Sequence, residues 1–288
     1  MIEFSDAIRA SGLEPPLSIE PGAVIRFPGI GKGAKNKAAW CRLFDDCIGG
    51  VFGDYSSGLY EVWQSRRTET YTPDQRAEFM RQVEASRKEH AQDRAREAVA
   101  AAQKAKAIIG SAKQEQHAYL DAHNMRERVG LVYYPDEKTN LLCIPMRVGN
   151  AIVGCQLIDR DGNKRFLKGQ KTVGAEYVLG SRGIDVWVEG FCTGAAVQTA
   201  LQGMKIHAKV HVTFSAGNLK KMARCGVIIA DHDKSKAGEL AAAETGLPFY
   251  LPENEGDDFC DEWQRIGTFQ AGMKLRQWLQ KENTALRA

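Results

Sequence analysis

The chain has 288 residues, 43% hydrophobic and 26% charged, ordinary proportions for one large or two modest globular domains. A net charge of +3 and a pI near 8.4 exclude a strongly basic nucleic-acid coat, so any nucleic-acid binding must come from local patches. No apolar run reaches membrane-span length, and the seven cysteines, at 41, 47, 143, 155, 192, 225 and 260, form no Cys-x₂-Cys and no zinc-finger spacing with His. The expectation is a soluble, cytoplasmic protein with reduced, mostly structural thiols.

Residues 1–71 read as a small β-rich domain. A short helix over Phe4 to Ser11 stops at Gly12 and Pro15-Pro16. Alternating runs at Ala23–Phe27, Ala39–Phe44, Gly49–Asp54 and Leu59–Trp63, separated by Gly, Asn and Asp, predict an antiparallel sheet with hairpins. Between the first two runs lies a basic loop. Arg26, Lys32, Lys35, Lys37 and Arg42 stand there with no acidic residue between Val24 and Arg42. It reads either as a solvated hairpin or as a mobile template-binding loop, with Lys32, Lys35 and Lys37 on phosphates and Trp40 stacking on bases.

Residues 72–124 change character. Thr72-Pro73 is a helix start, and the Ala-rich, densely charged run that follows has i,i+4 pairs such as Glu84 and Lys88. Large apolar residues are few, so the segment reads as an exposed helical connector, interrupted near Gly110. Residues 125–176 turn strand-like again at Val129–Tyr134, Leu141–Met146 and Ala151–Ile158. They end in a cluster, Arg160, Lys164, Arg165, Lys168 and Lys171, that has a single acidic neighbour, Asp161.

Residues 177–266 alternate strands and helices: strand 185–188, helix 193–202, strand 209–214, helix 215–224, strand 227–230, helix 236–244 and strand 248–251. That order implies a small parallel sheet with helices on both faces, an α/β domain within an α+β chain. Residues 267–288 read as a last packing helix.

The chemistry gathers at strand ends. Val186-Trp187-Val188 runs into Glu189, and Val227-Ile228-Ile229-Ala230 into Asp231-His232-Asp233. A buried parallel strand reads as such an apolar run, and open α/β sheets place their sites beyond the strands' carboxyl ends. Clustered carboxylates repel one another unless a cation neutralises them. Hard oxygen ligands suit Mg²⁺, with the remaining positions left to water and substrate phosphate. A further acidic group follows at Asp257-Asp258 and Asp261.

Glu-Gly after one strand, Asp-x-Asp after a later one, then Gly-x-Asp-x-x-Asp resembles the TOPRIM domain. Glu189-Gly190-Phe191-Cys192-Thr193-Gly194, Phe214-Ser215-Ala216-Gly217-Asn218-Leu219 and Ala230-Asp231-His232-Asp233 are similar to TOPRIM primases of phages, plasmids and mobile elements. Asp161-Gly162-x-Lys164-x-Phe166-Leu167 resembles the basic subdomain that precedes TOPRIM there. The resemblance implies primer synthesis on single-stranded DNA from nucleoside triphosphates, with Mg²⁺ (or Mn²⁺) and a replicative helicase as a further partner. Asp231, Asp233, Asp258 and Asp261 would hold metal, Glu189 would act as ligand or base, and Lys164, Arg165, Lys168 and Lys171 would neutralise phosphates. The zinc ribbon usual in bacterial-type primases has no counterpart, since the leading block holds only Cys41 and Cys47, so no zinc is expected. The rival readings are a TOPRIM nuclease or nickase using the same carboxylates, and a non-catalytic single-strand-binding replication accessory. Cys192 near a helix start reads as a reactive thiol or a packed small residue.

Overall fold

Alternation in the leading block builds a sheet with both faces covered. The structure, a computed structural model, describes residues 3–55, 57–65 and 72–285. Residues 66–71, the expected end of the leading block, and the last three of the expected C-terminal helix lie outside these. The chain forms two compact units, Met1–Ala95 and Arg96–Ala288.

In the first unit, helix α1 (Phe4–Ala10) precedes strands β1 (Ile25–Phe27), β2 (Ala39–Leu43), β3 (Gly49–Asp54) and β4 (Leu59–Gln64). They pair in sequence order, all antiparallel. Phe4 and Ile8 pack with Phe27, Ala39, Cys41 and Phe52. The residues between these in the strands, Trp40 and Val51, pack with Phe44, Phe79 and Val83. Phe79 and Val83 belong to helix α2 (Pro73–Ser111), so two-residue periodicity has sorted one strand between two helices. Gly49 and Gly50 permit the close packing. A Cβ on Gly49 would meet the Phe79 ring at 2.3 Å, and one on Gly50 would meet Phe4 at 2.8 Å.

Helix α2 starts at a reciprocal cap, the Gln75 N–H donating to Thr72 Oγ1 at 3.3 Å and the Thr72 N–H to Gln75 Oε1 at 3.1 Å. It is more than the expected exposed connector, because both of its halves enter a core. In the second unit Ala105 and Ile108 pack on Leu141, Cys143, Cys155 and Leu157. Strand pairing also begins earlier than expected. Strands β5 (Lys113–Glu115), β6 (Gly130–Asp136), β7 (Thr139–Val148), β8 (Ala151–Ile158) and β9 (Lys164–Phe166) form one antiparallel meander, with helix α3 (Ala118–Ala122) inserted after β5.

The remaining elements are β10 (Tyr177–Leu179), β11 (Ile184–Val188), α4 (Phe191–Gly203), β12 (Ala208–Val212), α5 (Ala216–Met222), β13 (Val227–Ile229), α6 (Ala237–Ala243), β14 (Phe249–Tyr250) and α7 (Phe259–Ala285), the last bent at Gly267 (φ 81°). The sheet order is β10-β12-β11-β13-β14. Four strands are parallel as expected, and β10 runs antiparallel at the edge. Val186, Val188 and Ile229 face α4 and α7, while Trp187, Ile228 and Ala230 face α5 and α6. Leu142, Ile144 and Ile158 of the meander join the first of these cores, so meander and parallel sheet share one hydrophobic interior. Glu262, fully buried, anchors α7 by accepting from Tyr250 Oη at 2.8 Å and Lys274 Nζ at 2.9 Å. A buried carboxylate is tolerable only when paired in this way. Among the described residues, no helix is long and apolar enough to cross a membrane.

Trp40 is 2% exposed, and its ring stacks on His90 at 4.1 Å between centroids. The expected role of stacking on template bases is therefore corrected: the ring is core. Trp40→Ala is expected to cost about 3–5 kcal/mol of stability in denaturant unfolding. A loss under about 1 kcal/mol would contradict this packing.

Candidate active site

Strand β11 lies between its parallel neighbours β12 and β13. The chain leaves β11 for β12 on one side, then crosses back to β13 on the other, so the β11–β13 gap is a topological switch point. Crevices beyond the carboxyl ends at such points are where open α/β sheets bind ligands. Glu189 follows β11 directly and Asp231 lies two residues past β13. The Phe214 N–H donates to the Glu189 carbonyl at 2.8 Å, and the Thr213 N–H to that of Val188 at 3.0 Å. Phe214 adopts φ 65° there, a left-handed conformation rare for a bulky aromatic residue and typical of strain held at a functional site. The Ala230 N–H, donating to the Tyr250 carbonyl at 3.0 Å, fixes the end of β13.

The carboxylates feel one another. Burial, then the charges of Asp258, Glu189 and Asp233, push the Asp231 carboxyl up to about 7, against the pull of Lys164. Burial and Asp233 raise Glu189, while the Ala216 N–H and Lys164 oppose the rise. Asp258 is raised by burial, with its hydrogen bonds acting against it. Asp233 is held below the usual carboxylate range by the Ser235 hydroxyl, which donates to it at 2.6 Å, and by N–H groups at the start of α6. Asp231 Oδ1 is buried and has no hydrogen-bond partner. A buried oxygen left so is expensive unless a ligand meets it.

The five expected metal ligands do not form one cage. Among the described residues, no three His, Cys, Asp or Glu side chains converge as a metal site. Asp258 Oδ1 accepts from the Asp261 N–H at 3.0 Å, and Asp261 Oδ2 from the Asp258 N–H at 3.1 Å. This is a capping box on α7, and it gives exposed Asp261 a structural job at the helix start. Asp258 Oδ2 also accepts from Thr193 Oγ1 at 3.0 Å, which ties α7 to the start of α4. The fit to Mg²⁺ rests on Glu189, Asp231 and Asp233. One or two carboxylates completed by water and substrate phosphate are what that ion takes, and the orphaned Asp231 oxygen is a hard donor of the right kind. His232 is engaged elsewhere, its Nδ1 donating to the Pro252 carbonyl at 2.9 Å.

The basic cluster divides. Lys164 on β9 draws both Glu189 and Asp231 down, with its Nζ 6.0 Å from the Tyr119 ring centre. Arg165 acts on Asp159, and Lys168 and Lys171 are exposed on the following loop. Two buried amides missed at the level of sequence fix that loop. Gln170 Oε1 accepts from the Cys155 N–H at 3.1 Å and the Leu167 N–H at 3.2 Å. Asn218 Nδ2 donates to the carbonyls of Thr172 at 2.6 Å and Thr213 at 3.0 Å. Tyr119 was also missed. It is 3% exposed, and burial and Asp258 push its hydroxyl up to about 12. Cys192 and Cys260 form a disulfide between α4 and α7, correcting the expectation that all thiols are reduced; Cys41, Cys47, Cys143, Cys155 and Cys225 are free.

In the leading unit, Lys32, Lys35 and Lys37 are exposed on the β1–β2 loop. The loop is pinned rather than slack. Asp54, 1% exposed, accepts from the Ile30 N–H at 3.0 Å, and Asn36 Oδ1 accepts from the N–H groups of Gly29 at 3.1 Å and Ala38 at 2.8 Å.

No protein-family model matches the chain, and no curated protein matches it. Among solved structures, the chain is similar to one from a complex of bacteriophage T7 lagging-strand DNA polymerase with primase domains of two gp4 subunits, bound to an RNA/DNA hybrid and dTTP. The identity is 16%, over 54% of this chain and 88% of that one, with a TM-score of 0.36. So slight a likeness supports no inference, and function must be read from the side chains.

A carboxyl raised by the fold costs nothing below about pH 4, where it is protonated in both states. As pH climbs towards 7 the unfolded chain ionises first, and stability is progressively lost. At roughly 1.4 kcal/mol per pKa unit, Asp231→Asn should stabilise the chain by about 2–4 kcal/mol at pH 8 in metal-free buffer, and by little at pH 4. A benefit independent of pH would show that Asp231 is not held in this way.

Proposed function

We propose that the chain is a metal-dependent nucleotidyltransferase that synthesises short primers on single-stranded DNA. The observation that carries this reading is the buried, unpartnered Asp231 oxygen beside Glu189 at the switch point, with Lys164 acting on both. Mg²⁺, held by Asp231 and Asp233 with Glu189 nearby, would supply charge neutralisation for an incoming triphosphate. Lys164 orients phosphate oxygens from the meander side. Glu189, its basicity raised by burial, is suited to take the proton of an attacking 3′-hydroxyl. The Thr193–Asp258 hydrogen bond keeps α7 against α4 and so holds the acidic wall in place.

The test is incubation with circular single-stranded DNA, Mg²⁺ or Mn²⁺ and labelled nucleotides, with products resolved on a gel. Short labelled products are expected from the wild type. Asp231→Ala and Asp233→Ala should abolish them while circular dichroism stays native, since both residues lie past the end of β13 and neither belongs to the hydrophobic core. Near wild-type yield from both variants, or nicked circles without incorporation, would end this reading.

The exposed pair Lys168 and Lys171 has a separate readout. If they bind strand phosphates, a Lys168→Ala, Lys171→Ala double variant should flatten the salt dependence of single-strand binding by about 1.4 in log–log slope, about 0.7 per phosphate contact. An unchanged slope would make the pair an ordinary solvated loop.

A further inference from the structure

The first unit holds a cavity of about 520 Å³ lined by Arg26, Lys37, Arg42, Tyr55, Ser86 and His90. Register explains the gathering. Arg26 lies opposite Trp40 across β1 and β2, and Arg42 follows two residues after Trp40, so all three share the face towards α2. Trp40 is the floor. Above it the Tyr55 and His90 rings stack with centroids 5.1 Å apart and planes within 3°. The guanidinium groups of Arg26 and Arg94 lie 5.1 and 4.6 Å from the Tyr55 ring centre. Flat rings and guanidinium planes in one recess are the groups on which nucleobases stack, and exposed Lys37 lines the same recess as a cation for a phosphate.

The cavity also holds carboxylates. Glu89 and Asp93 line it, and Glu89 accepts from Arg42 at 2.6 Å. They weaken the attraction for a small dense anion and offer acceptors to amino groups, as a nucleobase edge presents. The pinned loop extends the cationic path beyond the recess. Asp54 is a carboxylate buried against the loop backbone, an arrangement that is costly unless loop shape matters, and the residues it presents outward include Lys32, Lys35 and Lys37.

We propose that this cavity holds one nucleotide of a single-stranded nucleic acid whose neighbouring phosphates lie along Lys32, Lys35 and Lys37. The site deepens the reading above by giving the strand a place to bind in the leading unit. Its test is independent of catalysis.

A short labelled oligonucleotide is titrated with the full chain in EDTA across a salt series, followed by fluorescence anisotropy. Tyr55→Leu should weaken binding roughly five- to hundredfold, whereas Tyr55→Phe, which keeps the ring, should stay near wild type. A Lys32→Ala, Lys35→Ala, Lys37→Ala triple variant should lower the log–log salt slope by about 2. These lysines are exposed, so that arm stands even if Tyr55→Leu fails to fold. Unchanged affinity and slope in the triple variant would overturn the proposal. Displacement of the oligonucleotide by free nucleoside triphosphate at equal nucleotide concentration would also overturn it, by making the cavity a mononucleotide site. With no metal and no turnover, the assay reads this pocket whether or not the chain polymerises.

Discussion

The second unit depends on holding Asp231, its Oδ1 buried, beside Glu189, Asp258 and Asp233, where water would otherwise screen like charges. Burial and repulsion together carry its carboxyl up to about 7. Such an arrangement persists only if the surroundings leave it no relaxation. The strand ends supply that rigidity: Glu189 is clasped through the Phe214 and Ala216 N–H groups, and Ala230 is bonded to Tyr250. Asp258 is locked by Thr193 and its own helix cap. The site stores electrostatic free energy that a cation, if bound there, would release, linking metal binding to folding stability.

The supports lie in the packing. Glu262, satisfied by Tyr250 and Lys274, fixes α7 beneath the sheet, and the Cys192–Cys260 disulfide joins α7 to α4 near their starts. Asn218 and Gln170 fix the basic loop that follows β9. Several of these contacts join residues remote in sequence, as Cys192 to Cys260 and Asn218 to Thr172.

That remoteness explains what was legible in the sequence. The strands of the parallel sheet showed as apolar runs ending in carboxylate because a strand buried on both faces has no polar alternation to hide it. Glu189, Asp231 and Asp233 stand out in the sequence for that reason, and in the structure they lie within electrostatic reach of one another and of Lys164. The Asp-x-x-Asp spacing of Asp258 and Asp261 is ambiguous in sequence, because it serves a helix cap as well as a metal site. Helix α2 misled because its core residues come as two short groups, Phe79 with Val83 and Ala101 to Ile108, which leave no continuous apolar stripe. The burial of Trp40 is not legible in sequence because what covers it, α2, lies some forty residues on. The Cys192–Cys260 pairing, 68 residues apart, left no mark in spacing at all.

The most direct test of the central claim is Mn²⁺ binding to the full chain followed by electron paramagnetic resonance. Saturable binding that Asp231→Asn abolishes and that a nucleoside triphosphate tightens is what a carboxylate site completed by substrate phosphate predicts. Equal Mn²⁺ affinity in the wild type and Asp231→Asn would contradict it.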